Sequence, residues 1–223
     1  RACISQLGGA RLLAQSIAYK RNQRPFELHL ISHGVGDLLM APLATIVPAP
    51  ITSAIAIASA QSMPRFARTY GEMLADGCLQ HLTIASLSPD AEAADRFGPA
   101  DTSLLELASH AWELSRSDMR SAAQSARQSG EWHLGAVPLL GLAHHVEQDT
   151  FATQLHETGR LETMAIAGVS HVDLLSAAVV FDRVIAQICS ERSPSTADAS
   201  HLLTLPTDPI KRAKLLSENS RRH

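Results

Sequence analysis

The sequence predicts an α/β fold built on a doubly wound, mostly parallel sheet. Four apolar runs of strand length are separated by stretches long enough to form helices, and parallel strands need crossover connections of that size. The runs are apolar throughout and do not alternate with polar residues, which is typical of strands buried on both faces. We therefore expect a sheet with helices packed on its two sides.

The individual elements follow from apolar spacing and from the residues that end helices and strands. The predicted strands cover residues 27–32, 52–59, 80–87 and 161–169. The predicted helices cover residues 8–20, 37–47, 65–76, 103–115, 146–157 and 172–189. Gly77 and Gly159 follow two of these helices, where glycine commonly ends a helix. Residues 88–101 are predicted to form a polar loop, and residues 132–142, rich in Gly and Pro, an irregular segment.

The domain organisation is predicted from length and from a change in composition near the end of the chain. A chain of 223 residues is long enough for one domain with a tail. Residues 1–190 contain all the predicted strands, whereas residues 191–223 are polar and end in a basic stretch. We expect an α/β domain over residues 1–190 and a flexible tail over residues 191–223.

Composition excludes several classes of function. The formal net charge is −3 and aromatic residues make up 4% of the chain, which argues against a basic surface or a stacking platform for nucleic acid. The most apolar stretch, residues 38–60, is interrupted by Pro42, Pro48 and Pro50, so no membrane span is expected. We predict a cytoplasmic protein, because its three cysteines are scattered and do not form a disulfide framework. The sequence leads to no prediction of the oligomeric state.

No cofactor or metal ion is expected from the motifs in the chain. The adjacent His144 and His145 would point about 100° apart on a helix, so they do not form the usual pair of metal ligands on one helical face. Gly34 and Gly36 could belong to a nucleotide-binding loop, but Leu39 stands where a dinucleotide fingerprint has its third glycine.

Polar residues at the carboxyl ends of the predicted strands indicate where function resides. In a parallel sheet these ends lie along one edge, and that edge carries the functional site. The first strand leads into a glycine turn at residues 32–36, the third into an acidic loop, and the fourth into His171. A glycine turn, then an acid, then a histidine is the chain order of nucleophile, acid and base in α/β-hydrolases.

The motif HLISHGVG at residues 29–36 resembles the nucleophile elbow of the α/β-hydrolase superfamily, often written H-L-x-G-H-S-x-G. Residues 82–107, an acidic loop followed by a helix beginning Ser-Leu-Leu, also look like a subgroup of that superfamily. The resemblance covers about residues 10–190. It implies His171 as the base, oriented by Asp90, with Glu92 and Asp95 as alternative acids.

The sequence departs from this family in two respects. Gly34 occupies the position of the nucleophilic serine, and the hydroxyl of Ser32, two residues earlier, is not expected to reach the apex of the turn. About 26 residues precede the elbow strand, so the earlier strands of the family, with one oxyanion donor, are expected to be absent. The Val35 N–H would remain as an oxyanion donor, and His33 beside it is expected to have a packing role or to border the substrate.

Three functions remain open from the sequence. The first is an esterase- or lipase-type hydrolase relative that acts weakly or not at all on a small or lipid-like acyl substrate, because Gly34 has no nucleophile. The second is a hydrolase-like domain that binds a ligand or partner without catalysis. The third is a fragment of a larger hydrolase.

Overall fold

The structure is a computed structural model that describes residues 8–48, 50–96, 102–111 and 137–189. Contacts divide the chain into two units, one extending to Leu175 and the other starting at Ser176. The predicted tail, residues 191–223, lies outside the described residues. The described part of the second unit is mainly one helix, Ala178–Cys189, whose residues Val180 and Gln187 are buried.

The first unit contains a four-stranded sheet in which all neighbouring strands are parallel. The strands are β1 (His29–His33), β2 (Ile51–Ile57), β3 (Leu79–Leu87) and β4 (Leu161–Ile166), and they lie side by side in chain order. All four predicted strands are thus present, with ends shifted by up to three residues. The predicted α/β class is confirmed at the level of a parallel sheet with flanking helices.

Helices connect the strands and pack against the sheet. The described helices of the first unit are α1 (Gly9–Gln23), α2 (Asp37–Ala44), α3 (Met63–Phe66), α4 (Glu72–Ala75), α5 (Pro89–Ala94), α6 (Leu104–Ala111), α7 (Ala143–Gln148) and α8 (Thr150–Glu157), and the helix of the second unit is α9 (Ala178–Cys189). A π-helical segment, Ala67–Gly71, joins α3 to α4, and short 3-10 turns lie at Gly34–Gly36 and Leu174–Ser176. The helix predicted over residues 65–76 is therefore interrupted by wider helical turns.

The main hydrophobic core lies between helices and the face of the sheet that carries Leu30, Ala54 and Leu82. Leu30, Ala54 and Leu82 are neighbours across three strands, and all of them belong to the core cluster. Phe66 and Tyr70 pack into the same cluster from α3 and the π-helical segment. Burial of such side chains stabilises the fold by about 1.5–3 kcal/mol each relative to exposure. On the other face of β2, Ile55 and Ile57 are also buried, which agrees with the predicted burial of the central strands on both faces.

The polar loop predicted over residues 88–101 is wrong in its first part, the helix predicted over residues 146–157 is divided at Asp149, and the helix predicted over residues 172–189 begins at Ala178. Residues 89–94 of the predicted polar loop form helix α5. Ser88 caps this helix by accepting a hydrogen bond from the Ala91 N–H at 3.3 Å, and Pro89 occupies its first turn. Proline suits that position because the first helical N–H groups have no partner within the helix. Residues 97–101 of the same segment lie outside the described residues.

Candidate functional site

The turn after β1 has the backbone geometry of a sharp strand-to-helix elbow. β1 ends at His33, and α2 begins at Asp37 after the intervening 3-10 turn. Gly34 has a φ of +54°, in the left-handed region that strains every residue with a side chain. Its carbonyl accepts a hydrogen bond from the Ala60 N–H at 3.2 Å, which ties the turn to the segment after β2.

Space is open around Gly34 at the apex of the turn. A Cβ atom added to Gly34 would meet no atom within 4 Å beyond its chain neighbours. The next residue, Val35, has a side chain that is 52% exposed. The turn could therefore accommodate a serine at position 34 without a clash, at the cost of the strain that this φ imposes on a residue with a side chain.

His171 and His33 come together at the carboxyl edge of the sheet, as the sequence predicted for residues that follow parallel strands. Their ring centroids are 5.5 Å apart, and His171 is only 8% exposed. Burial lowers the pKa of His171, the neighbouring His33 lowers it further, and Asp95 opposes both effects. A neutral imidazole is therefore favoured at this position, and the neutral form is the one that accepts a proton.

Asp95 is the candidate acid that contacts His171. The backbone N–H of His171 donates to Asp95 Oδ2 at 3.0 Å, and Asp95 directly follows α5. Asp90 lies exposed in the first turn of α5, and its proposed role as the orienting acid stays a prediction. Glu92 is buried and bonded to the Ser103 hydroxyl, and burial raises the pKa of its carboxyl.

Two ring nitrogens at this edge are buried without a hydrogen-bond partner in the structure. They are Nδ1 of His171 and Nε2 of His33. A buried polar atom without a partner costs free energy, on the order of 1–3 kcal/mol. A ligand or a rotated side chain that pairs with these atoms would recover that energy.

A buried carboxylate next to the turn was not recognised from the sequence. Asp37, the first residue of α2, accepts hydrogen bonds from the hydroxyls of Ser32 at 2.7 Å, Ser59 at 2.5 Å and Tyr70 at 2.8 Å. Ser32, whose hydroxyl was not expected to reach the apex of the turn, is buried and donates to Asp37. Acidic residues are common at the start of a helix, because the helix dipole stabilises a negative charge there. The position of Asp37 in the sequence therefore gives little indication of this hydrogen-bond network.

The histidine pair considered for metal binding lies in the first turn of helix α7. The rings of His144 and His145 are 4.1 Å apart, and His145 Nδ1 accepts the Leu139 N–H at 3.1 Å. Burial lowers the pKa of His145, and the neighbouring His144 lowers it further. Across the described ranges, His, Cys, Asp and Glu side chains nowhere gather in threes that could bind a metal ion.

Comparison of the chain with protein-family models, with curated proteins and with solved structures found no match. In the part of the chain that the structure describes, no helix is both long and apolar enough to cross a membrane. The fold and the site therefore define an α/β protein with a glycine elbow after its first strand.

Proposed function

We propose that this chain is an α/β-hydrolase-like protein, related to serine esterases and lipases, whose degenerate elbow leaves weak or no hydrolase activity. The observation that carries the proposal is Gly34, a left-handed glycine on a strand–turn–helix elbow with open space at its Cβ position. In the family this backbone exposes the nucleophilic oxygen above the sheet. The resemblance of residues 29–36 and the His171 position after the last strand support the same interpretation.

Acyl transfer needs a general base, a donor to the oxyanion and a nucleophile, and the residues present could supply the first two. His171 is buried and its pKa is lowered, so a neutral imidazole is available as a general base. The Val35 N–H, which follows the nucleophile position, would donate to the oxyanion of an acyl substrate. Covalent catalysis needs a hydroxyl at position 34, and glycine has none. Removing a triad residue in serine hydrolases leaves about 10³–10⁴-fold acceleration over water.

A fluorophosphonate probe, which phosphonylates activated serines, tests this proposal on the native chain and on Gly34→Ser. We expect no labelling of the native chain and labelling at residue 34 in Gly34→Ser, because the added Cβ meets no atom within 4 Å. In the Gly34→Ser background, His171→Ala is expected to slow labelling by about 10²–10⁴-fold, the usual contribution of a general base. Labelled peptides are identified by mass spectrometry.

Two matched variants control for strain and for the presence of any new hydroxyl. Gly34→Ala imposes the same left-handed strain without a hydroxyl and should stay unlabelled. Gly36→Ser adds a hydroxyl on the same turn, also into space free within 4 Å, and should stay unlabelled as well. The proposal fails if folded Gly34→Ser is not labelled, or if the native chain is labelled at another serine in a His171-dependent way.

A second candidate function is binding of an acyl ligand without hydrolysis. It is favoured by the two buried ring nitrogens of His33 and His171 that lack a hydrogen-bond partner in the structure. Titration of the native chain with butyrate, followed by the imidazole resonances in NMR spectra, separates this candidate from an inert site. Saturable shifts confined to the His33 and His171 resonances would support ligand binding. Unchanged resonances would exclude binding of a carboxylate such as butyrate at this site.

A further inference from the structure

Asp37 is the most deeply buried charged side chain at the carboxyl edge of the sheet. It has 0% exposure and lies three residues after Gly34. A buried carboxylate is expensive unless hydrogen bonds replace its water. Ser32, Ser59 and Tyr70 supply three such bonds, so the network is satisfied on both carboxylate oxygens.

The three donors come from different parts of the fold. Ser32 belongs to β1, Ser59 follows β2, and Tyr70 belongs to the π-helical segment. The Ser32–Asp37 bond is special because these residues flank the turn, which occupies residues 33–36 between them. This hydrogen bond joins the two sides of the turn and so restrains the distance between the end of β1 and the start of α2.

The segment after β2 is itself tightly held. The Ser59 hydroxyl also accepts the Gln61 N–H at 3.1 Å, and the Ser59 carbonyl accepts the Gly141 N–H at 2.9 Å. A Cβ atom added to Gly141 would lie 2.5 Å from the Ser59 carbonyl oxygen, so only glycine allows this approach. Ala60, the next residue, donates its N–H to the Gly34 carbonyl at 3.2 Å.

The charged and titratable groups acting on Asp37 are few among the described residues. Burial raises the pKa of Asp37, and the three hydroxyls and the charge of Arg65 oppose that increase. Arg65 also donates to the Leu38 carbonyl at 3.0 Å, within the first turn of α2. Burial and the charge of Asp37 raise the pKa of Tyr70, so the Tyr70 hydroxyl remains a donor.

We propose that Asp37 is the positioning residue of the elbow: its carboxylate, bonded to Ser32, Ser59 and Tyr70, fixes the direction of residue 34 and of the Val35 N–H. The inference rests on the proposed function, since it assigns to Asp37 the orientation of the nucleophile position.

The first arm of the test measures labelling of Gly34→Ser by the fluorophosphonate probe with Asp37→Asn added. Asparagine keeps the size of the side chain but offers one acceptor oxygen in place of two. We expect the maximal labelling rate per folded molecule to fall by about 10-fold to 100-fold, since a misplacement of about 1 Å costs up to 10²-fold. The probe concentration for half-maximal rate should stay within about twofold, because apolar probe contacts do not involve Asp37.

Graded variants separate positioning from general stability. Ser32→Ala and Tyr70→Phe each remove one donor to Asp37 and should give smaller decreases in the labelling rate. Ser53→Ala is the matched control, because Ser53 is equally buried in β2 but bonds His29 at 2.7 Å near the start of that strand. It should lower the melting temperature without changing the labelling rate of folded molecules.

The second arm uses the native elbow and does not depend on any nucleophile. Hydrogen exchange of the Ala60 amide, which donates to the Gly34 carbonyl, should accelerate at least tenfold in Asp37→Asn, while amides of β4 keep their native rates. Unchanged exchange at Ala60 in folded Asp37→Asn would overturn the positioning role. If this arm succeeds while Gly34→Ser is never labelled, the proposed hydrolase relationship fails and the structural role of Asp37 in the turn stands.

Discussion

Gly34 gives the turn its left-handed backbone and carries no side chain that could act as a nucleophile. Its φ of +54° costs glycine little, whereas a serine would sit there under strain of about 1–2 kcal/mol. Glycine therefore relaxes the turn, and under the proposed function it leaves the turn without the hydroxyl that covalent catalysis needs. We expect Gly34→Ser to be somewhat less stable than the native chain even where it gains reactivity.

The buried carboxyl of Asp37 predicts a pH dependence of stability. Its pKa is raised above the ordinary value of 3.8 by burial, so the folded chain holds this proton at pH values where the unfolded chain has lost it. Stability from this group is therefore complete below about pH 3.8 and is lost as pH rises through the raised pKa. The unfolding free energy of the native chain minus that of Asp37→Asn should fall with increasing pH over this range.

Urea unfolding of both chains between pH 3.5 and about pH 8 measures this difference. The subtraction removes the contribution of Glu92, whose pKa burial also raises, and of His171, whose pKa burial lowers. A difference that is constant or rises across the range would contradict the predicted direction.

At the level of single residues, sequence reasoning located the turn and the histidines but not the network behind them. Gly34, His33 and His171 follow strands, and the topology of a parallel sheet brings such residues to one edge. Tyr70 is brought to Asp37 by a π-helical segment, which no apolar periodicity of 3.6 residues reveals. The choice among Asp90, Glu92 and Asp95 depended on helix α5, which was expected to be a loop.

At the level of elements, strands were easier to predict than short helices. The central strands β2 and β3 are mostly apolar and are buried on both faces along most of their length, whereas β1 and β4 alternate in burial. Helix α5 has six residues, too few for an apolar periodicity to appear. Its signal was the Ser88-Pro89 pair, a capping serine followed by proline at the first helical position.

Capping also gives a prediction for helix α8. The Asp149 carboxylate accepts the Ala152 N–H at 2.8 Å and so satisfies one of the free donors at the start of this helix. Asp149→Ala should lower the unfolding free energy by about 1 kcal/mol, the usual cost of losing such a cap. Asp149→Asn retains an acceptor and should cost much less in the same urea titration. Equal losses in the two variants would assign the effect to charge and not to capping.

At the level of the whole first unit, the strand order leaves β1 and β4 as the outer strands of the described sheet. β1 alternates in burial, with Leu30 and Ser32 buried and Ile31 40% exposed. Unpaired edges with exposed apolar residues are sites of association between chains. Ile31 is therefore the described strand residue at which we expect intermolecular contact.

Ile31→Lys should reduce concentration-dependent association, because a lysine on an edge strand opposes pairing with another chain. Sedimentation velocity over a range of protein concentrations measures the effect, with binding of a hydrophobic dye as a second readout. Leu12→Lys is the control, since Leu12 is similarly exposed but lies on helix α1. Equal reductions in both variants would indicate a general effect of charge, and no reduction in either would exclude this edge as a site of association.

The hydrogen bond from Tyr70 to Asp37 depends on the number of residues in the helical segment that carries Tyr70. An α-helix turns by about 100° per residue, so deleting a residue between Met63 and Tyr70 would rotate the tyrosine to another side of its helix, away from Asp37. Sequences that share the Asp37 network must then keep the same residue count between these positions, whatever their amino acids. In an alignment, a gap in residues 63–70 would mark a chain in which the carboxylate has lost its tyrosine partner.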